Sequence, residues 1–246
     1  MPPSDQKAIE FQRRYYTDTA QNYESMHAQE GAADPSTMKY VRALLSTVEV
    51  QSVLEVGTAN GRGLRNLKDA FPRAMVCGVE PVAALLAQAG HLGYRDGVSL
   101  VQGTGEMLPF GDCSFDVVCE FSTLHHVPHP GVMVKEMLRV ARKAVLIADS
   151  NRFGQGSFPA RMLKLALYKF GLGGAFNFVR TRGKGYMITE GDGLAYSYSV
   201  FDSYDLVADW SDRIILMPSD TSHSRSWFHP LLSSGGVYLF AFKDPR

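Results

Sequence analysis

Two kinds of hydrophobic periodicity divide the chain. Between residues 5 and 30, Phe11, Tyr15, Tyr16 and Tyr23 stand among polar neighbours at loosely helical intervals, which predicts one or two N-terminal helices. Over 35–48, Met38, Val41, Leu44, Leu45 and Val48 recur on one face with Pro35 near the start, which predicts another helix. From residue 50 the pattern changes. VLEV (53–56), MVCGVE (75–80), VSLVQG (98–103), FDVVCEFS (115–122) and KAVLIAD (143–149) are short apolar runs bounded by turn residues, each predicting a buried strand. GRGLRNLKDAF (61–71), PVAALLAQA (81–89) and GVMVKEMLRVAR (131–142) lie between them and predict helices.

This alternation predicts βαβ units, hence a parallel sheet with right-handed crossovers and helices on both faces. RIILM (213–217) and GVYLFAFK (236–243) predict an antiparallel hairpin closing that sheet. Ligands of such sheets bind outside the carboxyl ends of the strands, so the residues after 56, 80, 103 and 120 are the ones to inspect.

Composition narrows the class. The chain has 246 residues, 45% hydrophobic and 20% charged, enough for one large α/β domain. With 25 basic and 25 acidic residues it has no global basic footprint for nucleic acid. Cys77, Cys113 and Cys119 follow neither disulfide nor metal-ligand spacing, so no metal is expected and a reducing compartment is. The start, MPPSDQKAIE, has no apolar run, and no stretch approaches a transmembrane length; a cytoplasmic protein without a signal peptide is expected.

The turn after the first strand reads Glu55-Val56-Gly57-Thr58-Ala59-Asn60-Gly61-Arg62-Gly63. Glycines there permit a sharp turn and close approach of a ligand, and the following helix offers free N–H groups. Glu80 ends the second strand, where a carboxylate accepts hydrogen bonds from two ribose hydroxyls. A dinucleotide site shares these features. The glycines, however, run G-x-x-x-G-x-G instead of G-x-G-x-x-G. Glu55 would also repel a pyrophosphate, yet suits the ammonium of an amino-acid ligand. A nicotinamide-dependent oxidoreductase is disfavoured on both counts.

With GTGEMLPF (103–110) and FDVVCEFSTLHHV (115–127) following in order, residues 50–150 resemble a class I S-adenosylmethionine (SAM)-dependent methyltransferase of the small-molecule, methyltransferase type 11 or quinone C-methyltransferase-like group. The resemblance implies an α/β, Rossmann-like, seven-stranded, mostly parallel doubly wound sheet with an antiparallel C-terminal hairpin and a helical lid insertion. It implies a single domain over 1–246: an N-terminal helical cap (1–48), a cofactor-binding core (50–150), a substrate lid (151–200), and a terminal helix and hairpin (201–246). SAM would be the methyl donor and S-adenosylhomocysteine the product. By position, Glu55 would meet the methionine ammonium, and Gly57, Thr58, Asn60 and Gly61 would wrap the methionine and ribose. Glu80 would hold the ribose hydroxyls and Pro81 flank the adenine. Thr104, Gly105 and Glu106 would line the adenine edge, with Glu120 and Phe121 beside the methionine. The family commonly has Asp-Ala at Thr104-Gly105, so the Thr104 hydroxyl or Glu106 would take that Asp's contact with the adenine amino group. A non-catalytic SAM-binding regulatory or scaffolding protein is the alternative reading.

His125 and His126 are the candidate catalytic bases for a hydroxyl or amine acceptor; structural imidazoles are the competing reading. Glu120-Phe121-Ser122-Thr123 lacks the Asn/Asp-Pro-Pro-Tyr/Phe motif of amino-methylating enzymes, so no DNA substrate is expected. From Ser150 to Thr189 there is no Asp or Glu, whereas Arg152, Arg161, Lys164, Lys169, Arg180, Arg182 and Lys184 alternate with aromatic residues. That segment reads as a solvated lid, as a binder of an anionic or aromatic small molecule through residues such as Arg180, or as a contact with a membrane surface or RNA through 152–186. Tyr196 and Tyr198 alternate in an extended stretch and are candidates for the acceptor pocket. Tyr15, Tyr16 and Tyr23 resemble the N-terminal aromatic cap that closes over SAM in similar enzymes and are candidate substrate-binding residues.

Overall fold

The computed structural model describes residues 3–27, 35–91, 97–189, 191–219 and 234–244. Its centre is a seven-stranded sheet built from β1 (Ser52–Val56), β2 (Met75–Glu80), β3 (Val98–Gln102), β4 (Phe115–Phe121), β5 (Ala141–Ser150), β8 (Arg213–Pro218) and β9 (Gly236–Phe242). The order across it is β3-β2-β1-β4-β5-β9-β8. β9 is antiparallel to both β5 and β8, so it alone runs against the sheet. The fold class is the one the resemblance implies, and the core strands and helices lie within a few residues of their predicted bounds.

The central strands form because both of their faces are covered. All five residues of β1 are buried, as are residues 144–149 of β5, which explains their continuous apolar runs. Each fully buried Leu or Ile there, such as Leu146 and Ile147, contributes about 1.5–3 kcal/mol. One face of the sheet packs on α6 (Pro130–Val140) through Met133, Val134, Met137 and Leu138. The other packs on α4 (Arg62–Ala70) through Leu64 and Leu67, and on α3 (Pro35–Leu45) through Met38, Val41 and Leu45. The strand order reverses at β1, between β2 and β4, which opens a crevice at the carboxyl ends of those strands.

Three further pieces close over that crevice. α1 (Pro3–Thr19) and the short α2 (Tyr23–Met26) lie against α5 (Ala83–His91) and a separate two-stranded hairpin, β6 (Tyr186–Thr189) and β7 (Gly193–Tyr196). Gly191 and Gly193 take φ of +91° and +74°, and a side chain at Gly193 would meet Gln12 Oε1 at 2.5 Å. The hairpin therefore turns sharply and seats its backbone directly on α1. The segment after β5 adds α7 (Phe158–Lys169) and α8 (Gly173–Arg180). The stretch predicted as extended around Tyr196 and Tyr198 is strand only to Tyr196; it leads through a 3-10 turn (Val200–Ser203), capped by reciprocal Ser199–Asp202 hydrogen bonds, into α9 (Tyr204–Trp210). No helix among the described residues is long and apolar enough to cross a membrane.

Candidate active site

The turn after β1 supplies the floor of the crevice. Gly57 takes φ +79° with the Thr123 side chain pressed against it, and Gly61 takes φ +83° at the N-terminus of α4. A side chain at Gly63 would stand 1.9 Å from Glu55 Oε1, so this glycine makes room for a carboxylate on the last turn of β1. Glu55 is buried, accepts a hydrogen bond from the Thr58 hydroxyl at 2.8 Å, and forms no ion pair among the described residues. Burial raises its pKa to about 8, against the lowering effects of Thr58 and the Arg62 charge. At the end of β2, Glu80 accepts from the backbone N–H of Val82 at 2.9 Å and of Ala59 at 3.0 Å. Burial still lifts it to about 7.

These groups line a cavity of about 290 Å³. Of the residues read as cofactor-binding, Glu55, Gly57, Thr58, Asn60, Glu80, Pro81, Thr104, Gly105, Glu106 and Phe121 line it. Gly61 stands behind the wall as the helix cap. Glu120 is turned into the core, where it accepts from the backbone N–H of Thr123 and Ala148, both at 2.9 Å. Burial and the neighbouring Asp149 charge push Glu120 well above the usual carboxylate range, so it is held toward its protonated form. Glu106 lines the cavity with a buried Oε1 that has no hydrogen-bond partner among the described residues. Gly105 leaves no room for a side chain, since a Cβ would stand 2.7 Å from Met133 Sδ.

A cluster of ionisable groups stands at the far end. His125 Nδ1 is 2.7 Å from Asp149 Oδ1, and its Nε2 is 3.6 Å from Asp192 Oδ2. Burial disfavours charge on His125, but the charge and hydrogen bond of Asp149, with those of Asp192, outweigh it and raise the imidazole to about 10. His126 Nδ1 lies 2.6 Å from the Leu194 carbonyl. A carbonyl only accepts, so Nδ1 carries a proton and Nε2 is turned toward the Tyr16 hydroxyl at 3.3 Å and Asp192 Oδ1 at 3.2 Å. Burial alone would raise Asp192; its hydrogen bonds from both histidines depress it well below the usual range. Gln12 holds the hairpin that carries Asp192: its Oε1 accepts from Leu194 N–H at 2.6 Å and its Nε2 donates to the Asp192 carbonyl at 3.2 Å.

His125 and Asp192 also border a second cavity of about 460 Å³. Arg152, Lys164 and Arg180 line it with Asn177, Tyr196 and Tyr198. Tyr198 is largely a core residue, its hydroxyl 2.8 Å from Ser203 Oγ. Tyr16 and Tyr23 line the first cavity; Tyr15 packs edge-on against Tyr16 outside it. Burial and the nearby Arg180, Arg161 and Arg152 charges lower the Lys164 pKa.

Sequence reading missed Gln12, Arg13 and Asp192. α1 and the β6–β7 hairpin bring them to the crevice from opposite ends of the chain, and no local spacing signals that. Asp192, between Gly191 and Gly193, carried only a turn signature.

Comparison with known proteins bears on the fold and its lineage. The methyltransferase domain model matches residues 54–148. An uncharacterized methyltransferase of Mycolicibacterium paratuberculosis is 30% identical over 158 residues, 61% of this chain and 61% of that protein. A demethylmenaquinone methyltransferase of a Roseiflexus species is 30% identical over 150 residues, 60% of this chain and 62% of that protein. The chain thus spans about three fifths of the length of these curated relatives. The Burkholderia thailandensis 1,6-didemethyltoxoflavin-N1-methyltransferase, solved with its substrate and S-adenosylhomocysteine, shares the fold with a TM-score of 0.63 at 15% identity, over 98% of this chain and 91% of that one. Residues 54–148 thus match a methyltransferase domain, and the sheet around them has the fold of the Burkholderia enzyme.

Proposed function

We propose that the chain transfers the methyl group of SAM to a small molecule bearing an anionic or aromatic group. The observation that carries this reading is the meeting of two unlike cavities at His125 and Asp192, one floored by buried carboxylates and the other lined by cations. The first fits the donor. Glu55 offers a buried carboxylate with no cation paired to it, where the methionine ammonium would sit. Glu80 keeps free lone pairs on both oxygens for ribose hydroxyls. Glu106 Oε1, buried and unpartnered, takes the contact left open by Thr104. Val82, Leu85 and Met133 are apolar wall against which a purine would lie.

When bound, SAM supplies an electrophilic methyl group on a sulfonium sulfur. The chain's own part is to bind, orient and manage a proton. Holding the acceptor in line is the larger contribution, up to about 7–11 kcal/mol in the best intramolecular models. Arg152, Lys164 and Arg180 would anchor an acceptor carboxylate or phosphate, with Tyr196 and Tyr198 beside it. His125, kept protonated by two carboxylates, positions Asp192. His126, whose Nδ1–H is tied to the Leu194 carbonyl, would take the proton that an O–H or N–H acceptor sheds at Nε2 once that atom no longer donates to Asp192.

Calorimetric titration with S-adenosylhomocysteine, with NAD as the comparison ligand, tests the reading. Micromolar binding of the first and none of the second is expected; no binding of S-adenosylhomocysteine would remove the proposal. The pH dependence is set by Glu55 and Glu80, at about 8 and about 7 in the empty fold. Both are raised, so they stabilise the empty protein below the unfolded value near ~4.3 and lose that contribution as pH rises through those values. A ligand bringing an ammonium to Glu55 needs the ionised form. Affinity should therefore rise at least ~tenfold between about pH 6 and about pH 8, with protons released near neutrality and seen as a buffer-dependent enthalpy.

Arg180→Glu tests the second cavity. With an acceptor found in a screen of aromatic carboxylates and phosphates, its KM should rise at least ~tenfold while kcat changes little, as expected for loss of a charge-assisted contact made equally in ground and transition states. An unchanged KM would rule out the anionic anchor.

A further inference from the structure

The lid leaves apolar surface open that folding does not account for. Along α7, Met162, Ala166 and Phe170 follow at four-residue steps on one exposed stripe, and Phe170 at its end is 78% exposed. On α8, Phe178 and Val179 are 65% and 75% exposed. Leu163 and Leu172, with Ile188 on β6, are exposed as well. Isolated exposed apolar residues are ordinary, but a set of this size on two helices and an edge strand marks a docking surface.

The charge of the segment says what docks. Ser150 to Thr189 contains seven Lys and Arg residues and no Asp or Glu, in a chain whose formal net charge is zero. Lys169, Arg182 and Lys184 are exposed on the same two helices and the turn that follows. A second copy of the chain is a poor partner, because a symmetric contact would set this unneutralised basic face against itself. An anionic phospholipid surface complements both features at once, taking large apolar side chains at the headgroup boundary and basic ones among the phosphates.

We propose that the α7–α8 lid docks the protein reversibly on anionic membrane surface. The inner side of the same helices presents Lys164, Asn177 and Arg180 to the second cavity, so docking brings that cavity next to the bilayer. The docking surface stands independently of the methyl-transfer reading, since it involves none of the residues assigned to the donor.

The full chain would be cosedimented with vesicles of phosphatidylcholine alone and of phosphatidylcholine with phosphatidylglycerol. Binding to the anionic vesicles is expected, at least ~tenfold stronger than to neutral ones and weakened by salt. Two variants, Phe170→Ser/Val179→Ser and Lys169→Glu/Arg182→Glu/Lys184→Glu, should each lower the partition coefficient at least ~tenfold. All five positions are exposed, so thermal stability should stay as in the parent and certify the fold. No binding to anionic vesicles, or binding that neither variant weakens, would overturn the proposal. A dimer in sedimentation velocity that Phe170→Ser/Val179→Ser dissolves would overturn it too, assigning the face to a second copy.

Discussion

Glu80→Ala is expected to weaken binding of S-adenosylhomocysteine at least ~100-fold. Each hydrogen bond from a ribose hydroxyl to an ionised carboxylate is worth about 1.5–3 kcal/mol, and the variant removes two. The same change also withdraws the acceptor for Ala59 N–H and Val82 N–H, which tie the turn after β1 to the start of α5. Stability without ligand should therefore fall by about 1–3 kcal/mol, the cost of leaving such groups unsatisfied. The two effects are separable. Thermal unfolding of the empty protein reports the turn, and calorimetry at a temperature where the variant is folded reports the ligand. If affinity stayed within ~threefold of the parent, Glu80 would be a staple of the turn and the ribose assignment would fail.

Asp149→Asn is expected to cost about 3–5 kcal/mol, because it strips one partner from a buried ion pair. Asp149 Oδ1 takes the His125 ring proton at 2.7 Å and Oδ2 takes Leu124 N–H at 2.8 Å. An amide keeps one acceptor and turns an N–H donor on the other. The pH dependence carries the diagnosis. His125 is raised to about 10, so the pair's contribution is complete below the unfolded value near ~6.5 and is lost as pH climbs toward about 10. Asp149 is depressed by the His125 charge despite its burial, so its contribution is present above ~3.9 and lost in acid. The gap in Tm between parent and variant should thus be widest between roughly pH 4 and pH 6.5 and narrow toward pH 10. A gap that stays level across that alkaline range would mean that His125 is neutral in the fold. His125 would then not be the group that positions Asp192.

Legibility of the site followed the length of chain that each contact spans. The turn from Glu55 to Gly63 and the acid ending β2 were readable because strand, turn and helix start are consecutive, and a carboxylate two residues before a glycine has a local meaning. The same local logic led too far at Glu120. It sits at the end of β4 beside the crevice, yet its side chain belongs to the face that meets Asp149 and Ala148 in the core. The sequence offered both Thr104 and Glu106 for one contact; both line the cavity, and Glu106 Oε1 is buried there with no hydrogen-bond partner among the described residues.

Periodicity by itself determined the sheet, the helices on its two faces and the crevice at the carboxyl ends of β1, β2 and β4. Those properties follow from repeated local choices of apolar and polar residues, which any window of the chain displays. Tertiary structure decided which groups converge on that crevice. Gln12 and Tyr16 come from α1, His126 from the turn after β4, and Asp192 from a hairpin turn, with Tyr16 and Asp192 separated by 176 residues. It also decided which residues of the 151–185 segment turn inward, Lys164 and Arg180 walling a cavity while Phe170 and Val179 are exposed. Chain spacing encodes neither arrangement, because each depends on how one helix rotates against distant elements when the whole core closes.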